Sequence, residues 1–154
     1  MAEDLSTLLS DLRTAIEALV PVTDSSDVYS VAEDFSAEDW TDIPAAISHR
    51  AVVLDVLAAR PVQHVAGIRT VWDIDVSITV VHRWRQKKRL ADTTLRGQDV
   101  LQLCEMLRTK RPGHAAGARA WSDVEAGAPE TVEQRRATTI NAKVQAGFTT
   151  VVTP

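Results

Sequence analysis

The stretch VWDIDVSITVVHRWRQKKR, Val71 to Arg89, decides how this chain is read. Trp72, Ile74, Val76, Ile78, Val80 and Trp84 occupy even positions, and Asp73, Asp75, Ser77, Thr79 and Arg83 fall between them. A period of two puts one set of side chains on a buried face and the other towards water, so the spacing predicts a half-buried strand from Ile68 to Trp84. Trp72 to Trp84 would extend roughly 40 Å at about 3.3 Å per residue, about twice the usual strand length. The strand ends in Arg83, Arg85, Lys87, Lys88 and Arg89 with Trp84 between them.

A second stretch has matching length and pattern. In Thr138–Val152, Ile140, Ala142, Val144, Ala146, Phe148, Thr150 and Val152 share one face, and Thr139, Asn141, Lys143 and Gln145 the other. His49–Ala58 is more uniformly apolar and reads as a central strand, broken afterwards by Pro61 and Gly67. Leu5, Leu8, Leu9, Leu12, Ile16 and Leu19 recur at helical spacing, so residues 4–20 form a helix that stops at Pro21. A second helix starts at Thr93 or Thr94 and runs to about Lys110, where Pro112-Gly113 ends it. Val100, Leu101, Cys104 and Leu107 are its expected buried face, with Leu103 on the flank. Residues 22–48 and 112–136 read as irregular segments. Tyr29, Val31, Phe35 and Trp40 pin the first to the body, with a short strand near Val28–Val31, and Trp121 anchors the second. The expectation is one α+β domain over residues 1–154, in the order α-β-β-α-β. Its antiparallel sheet has long strands, with the helices packed on one face.

Bulk composition fits that picture. The 154 residues are 45% hydrophobic and 25% charged, with a net charge of −4, so there is no global positive field for nucleic acid. A single cysteine, Cys104, makes no internal disulfide. The acidic start MAEDLSTLL lacks the basic region of a signal peptide, and no apolar run approaches membrane-spanning length.

Motifs for catalysis are scarce. His49, His64, His82 and His114 are far apart and lack a local partner at metal-ligand spacing, so they read as loop or strand-end histidines satisfied by hydrogen bonds. Cys104 lies among leucines on a helix, the setting of an inert core thiol. Asp73 and Asp75 share the polar face of a strand, where a cross-strand cation such as Lys143 would relieve their repulsion. No phosphate-binding glycine loop or nucleophile elbow occurs. The reading is a protein that is not an enzyme and uses no cofactor or metal. Arg83, Arg85, Lys87, Lys88 and Arg89 are the remaining candidates. They would contact DNA phosphates, or an acidic partner such as the 33–42 segment of an identical subunit, or end a strand in solvent.

A helix covers only part of a strand this long, and an uncovered apolar face is an aggregation hazard unless other chains meet it. An oligomer follows, and head-to-tail contacts close into a ring when the rotation permits. Five segments in this order carry a resemblance: LSTLLSDLRTAIEALVP, IPAAISHRAVVLDVL, VWDIDVSITVVHRW, TLRGQDVLQLCEML and ATTINAKVQAGFTTVVTP. Together they cover about half of the chain and resemble the tail terminator (tail-completion, head-tail joining) proteins of long-tailed bacteriophages. The resemblance implies a structural virion protein assembled in the host cytoplasm. It would form a hexameric ring that caps the tail tube and meets the head-side connector, with genomic DNA passing through the lumen without sequence readout and no membrane involved. It transfers no catalytic or binding residue. The competing expectations are another neck or minor tail component (a head-closure protein), a small nucleic-acid-binding module, or an enzyme with a convergent histidine–carboxylate site.

Overall fold

The computed structural model describes residues 5–33, 35–65, 69–109 and 121–149. Its elements run α1 (Leu5–Glu17), β1 (Ser30–Ala32), β2 (Ala51–Val65), β3 (Arg69–Arg83), α2 (Arg89–Thr109), β4 (Ser122–Ala126), β5 (Glu130–Val132) and β6 (Arg135–Thr149). Short 3₁₀ turns occupy Ala37–Asp42, Ala45–Ile47 and Gln86–Lys88. The fold is α+β. Strand order is β1-β2-β3-β6-β4, with β5 also paired to β6.

The three long strands are each 15 residues, about 50 Å at 3.3 Å per residue. β3 lies between β2 and β6, antiparallel to both, with Ile78 opposite Leu54 and Ile140. The alternation seen in the sequence sets this register. Ile74, Val76, Ile78 and Val80 of β3 and Ile140, Ala142, Val144 and Ala146 of β6 form one buried face. Both helices pack there. Leu8, Leu12 and Ile16 of α1 join that core, as do Val100, Leu103, Met106 and Leu107 of α2. A helix as short as α1 is marginal in isolation. Burying its three large aliphatic side chains, at about 1.5–3 kcal/mol each, is what holds it.

The opposite face carries a second, smaller core at one end. There the Ala37–Asp42 turn lays Trp40, and the following Ile43, against Val53, Val81 and Ala137. Arg135 fastens this segment by donating to the carbonyls of Ile43 and Thr41 at 2.7 and 2.9 Å.

Several expectations need correction. Among the described residues there are three short strands beyond the α-β-β-α-β order, and β1 runs parallel to β2, so the sheet is mixed. β1 is Ser30–Ala32 instead of Val28–Val31. The 112–136 segment contains β4 and β5, which line the outer side of β6. Pro61 does not end β2. β1 covers only Ala51–Val53, so from Leu54 onward β2 is an edge among the described residues, where a proline has no outward hydrogen bond to forfeit. Leu57 and Val62 are each skipped in the β2–β3 pairing and form bulges.

α2 starts at Arg89, not at Thr93 or Thr94. Thr94 already sits inside the helix, its hydroxyl donating to the Leu90 carbonyl at 2.9 Å. The buried face of α2 is rotated from the expected one: Leu101 is 63% exposed and Leu103 is fully buried. Cys104 is half-buried against the core. Lys143 lies directly opposite Asp75 across β3 and β6, as expected, but its ammonium pairs with Asp123 at 3.6 Å, and Arg60 reaches Asp75 at 3.1 Å. Gly67, Ile68, Lys110, the 112–120 stretch with Pro112, Gly113 and His114, and Thr150 and Val152 lie outside the described residues.

Candidate functional site

Four of the five basic residues singled out in the sequence, Arg85, Lys87, Lys88 and Arg89, border a cleft of about 850 Å³ at one end of the sheet. Trp84, the cationic run Arg85–Arg89, Thr131, Glu133, Gln134 and Arg136 line it. Its floor is built by three connections. The Trp84 N–H donates to the Gln134 carbonyl at 2.7 Å, which ties the exit of β3 to the two-residue turn between β5 and β6. Arg136 then lies over the Trp84 ring, its guanidinium carbon 3.6 Å from the ring centroid, a cation–π stack. Arg136 Nε donates to Thr131 Oγ1 at 2.8 Å, which fixes the stacked guanidinium from the side.

The five predicted cations do not act alike. Arg85 is committed to the fold. Its backbone N–H and Nε both reach Asp92 Oδ2, and Nη2 reaches Oδ1 at 2.7 Å. Those bonds bring the first turn of α2 onto the strand exit. The Arg85 hydrogen bonds hold the Asp92 carboxyl below its usual range against the opposing effect of burial. Lys87, Lys88 and Arg89 are exposed and form no ion pair among the described residues. Arg83 points away from them. It lines a neighbouring cleft of about 680 Å³ with Ala45, Ser48, His49 and Arg135. Sequence reasoning missed Arg136, because it lies some fifty residues from the cluster; its register opposite His82 is what brings it there.

Directly behind the cleft lies a second group that the sequence did not reveal. Arg50 is wholly buried and adopts a left-handed backbone, φ 59°. Its Nε donates to Asp99 Oδ2 at 2.8 Å, Nη1 to Asp27 Oδ2 at 2.7 Å and Nη2 to Thr23 Oγ1 at 2.9 Å. His82 Nε2 lies 2.7 Å from the same Asp99 oxygen. Burial alone would raise the Asp99 carboxyl, but the hydrogen bonds from His82 and Arg50 outweigh it and lower it. An ionised carboxylate only accepts, so Nε2 of His82 carries the hydrogen. His82 Nδ1 and Asp99 Oδ1 have no partner among the described residues.

His49 stacks edge-on against His82, 5.8 Å between centroids, and its Nδ1 accepts the Arg83 N–H at 3.1 Å. Burial, then the nearby Arg50, His82 and Arg83 charges, push His49 down to about 4, so its ring is neutral at pH 7. Tyr29 completes the group by donating to Gln102 Oε1 at 2.8 Å, while Gln102 Nε2 donates to the Val20 carbonyl at 2.7 Å.

This cluster clasps four parts of the chain: the 20–29 loop, the start of β2, the end of β3 and the middle of α2. It resembles an Asp–His pair of a hydrolase only in composition. A general base must reach the proton it takes, and His82 is 1% exposed. Among the described residues no group of three or more His, Cys, Asp or Glu is placed to hold a metal ion. The side chain of His64 lies outside what the structure describes. No family model matches the chain, and no curated protein matches it in sequence.

Proposed function

We propose that this chain is a structural protein of the bacteriophage neck, a tail terminator whose copies form a ring that closes the tail tube and joins it to the head-side connector. The helical face of β3 and β6 is covered within one chain, contrary to the expectation of an uncovered apolar face, and the observation that supports the reading most is the exposed apolar edge of β2. Along its open edge β2 carries the bulged residues Leu57 and Val62, 56% and 52% exposed. Burying such side chains gains about 1.5–3 kcal/mol each, which a neighbouring subunit would supply. In this reading Lys87, Lys88, Arg89 and Arg136 meet another subunit or the DNA that crosses the lumen, and Arg85 serves the fold. The protein acts by assembly and not by catalysis; the buried position of His82 supports that. No helix among the described residues is long and apolar enough to cross a membrane.

Native mass spectrometry of the purified chain and electron microscopy of virions test the proposal. Closed rings in solution and a neck-located subunit are expected. A strictly monomeric protein absent from particles refutes it. The cleft also favours a second reading, a small nucleic-acid-binding module. Fluorescence anisotropy with duplex DNA separates the two, since a dedicated binder shows an affinity that falls steeply with salt.

A further inference from the structure

We infer that the basic cleft receives the acidic turn Ala37–Asp42 of a second copy of this chain, so that copies join head to tail through unlike surfaces. The inference rests on the ring reading and names its contact. The two surfaces lie at the same end of the molecule but on opposite faces of the sheet. Arg136 is paired with His82, whose side chain meets α2, so the cleft belongs to the helical face. The Ala37–Asp42 turn packs through Trp40 on Val53, Val81 and Ala137, the other face. Within one chain the sheet separates them, so their charges can be matched only between copies.

The charges are complementary. Lys87, Lys88 and Arg89 are exposed and unpaired among the described residues, with Arg136 fixed beside them. Glu38, Asp39 and Asp42 are exposed on the turn, and Asp39 is oriented by a 2.8 Å hydrogen bond from Ser36. Arg135 and the buried Trp40 hold this turn firmly, so little ordering is left for binding to cost.

The charge distribution also selects this occupant over nucleic acid. Of 17 Lys and Arg and 21 Asp and Glu in the chain, five and one line the cleft, so the rest of the molecule carries 12 against 20. A long polyanion reaching past the cleft would be repelled by the net negative charge of the rest of the chain, whereas a second copy presents its acidic turn to the cleft. A contact between two different patches does not close on itself as a two-fold dimer does. It repeats from copy to copy, and closes into a ring when the rotation permits.

Sedimentation velocity tests this with three proteins: wild type, the cleft-reversed variant Lys87→Glu/Lys88→Glu, and the turn-reversed variant Glu38→Lys/Asp39→Lys. All exchanged residues are exposed, and circular dichroism verifies that each variant keeps its fold. Each variant alone should associate at least about tenfold more weakly than wild type at low salt. An equimolar mixture should regain assembly, because every interface then pairs a positive with a negative surface. Rising salt should weaken the wild-type assembly. A monomeric wild type sinks both the ring reading and this contact. A wild-type oligomer that neither reversal weakens, or a mixture that stays dissociated, overturns the contact alone. So does a cleft-reversed variant that assembles normally but loses salt-dependent affinity for a short DNA duplex.

Discussion

Replacing Arg50 with methionine should be among the most damaging single changes in this protein. Methionine keeps much of the side-chain length and accepts the same left-handed backbone at the same cost as arginine, so the exchange isolates the guanidinium. What is lost is three hydrogen bonds of 2.7–2.9 Å to Asp99, Asp27 and Thr23. Asp27 is one-third exposed and water replaces most of what it loses, so it contributes little. Asp99 is fully buried and retains only His82. Removing one partner from a buried ion pair costs about 3–5 kcal/mol, mainly through the charge left behind. For a chain of this size each kcal/mol lowers Tm by about 2–4 °C, so a fall of about 6–20 °C is expected by calorimetry at pH 7.

A companion variant, Asp99→Leu, and the double variant complete a mutant cycle. The double should lose less than the sum of the singles by more than about 1 kcal/mol. The pH dependence has a definite sign. Asp99 and Asp27 are both lowered in the fold against burial, the first by hydrogen bonds from His82 and Arg50, the second by those from Arg50 and the Val28 N–H. Their contribution is therefore complete above the unfolded value of about 3.9 and is lost as pH falls through the folded value. Without Arg50 that acid-side loss should be shallower. A Tm within about 2 °C of wild type, or a cycle with no coupling, refutes the reasoning.

Four further outcomes are expected. Gly97 lies within α2 with nothing within 4 Å of an added Cβ, so Gly97→Ala should stabilise by about 0.5–1 kcal/mol in urea unfolding. Leu103→Ala should cost about 2–5 kcal/mol, while Leu101→Ala at its exposed position should stay within about 0.5 kcal/mol; equal effects would place the helix in the wrong phase. His49, held down to about 4, should show no imidazole titration by NMR between about pH 5 and 8. Leu57→Asp with Val62→Asp should leave the monomer's circular dichroism unchanged and disperse the oligomer in sedimentation. An assembly that survives the pair removes the β2 edge from the interface.

The long strands were legible because β3 and β6 keep strict alternation on a sheet with one helical face, and residues such as Ile78 and Ile140 announce it. α2 was harder, and for an instructive reason. Its inner face carries Asp92 and Asp99, while Leu90 and Leu101 point outward. A pattern reader treats carboxylates as solvent-facing, so it turned the helix towards Leu101. Only the three-dimensional pairing of Asp99 with Arg50 and His82, 49 and 17 residues away, makes an inward aspartate affordable. The candidate site was half visible. The run Arg85–Arg89 marks one wall of the cleft, but Arg136 and Thr131 arrive through the β5–β6 hairpin, and nothing local identifies Arg85 as a partner of Asp92. In β2, counting by twos from Val52, Leu54 and Val56 sends Arg60 to the helical face. The bulge at Leu57 instead places it beside Asp75 on the other.

Those bulges have a consequence for what shortening the chain would do. β2 spends 15 residues pairing with 13 of β3, and the surplus is Leu57 and Val62. Deleting both would leave every remaining residue opposite its present partner and would remove two exposed apolar side chains. On composition alone the shorter protein should be the more soluble one. Yet its outer border would become an even ladder interrupted only at Pro61, and a regular border recruits strands from other molecules. The expected product is aggregate in place of discrete assemblies. On this argument the irregular border, more than a polar surface, is what would keep a long sheet from growing without limit.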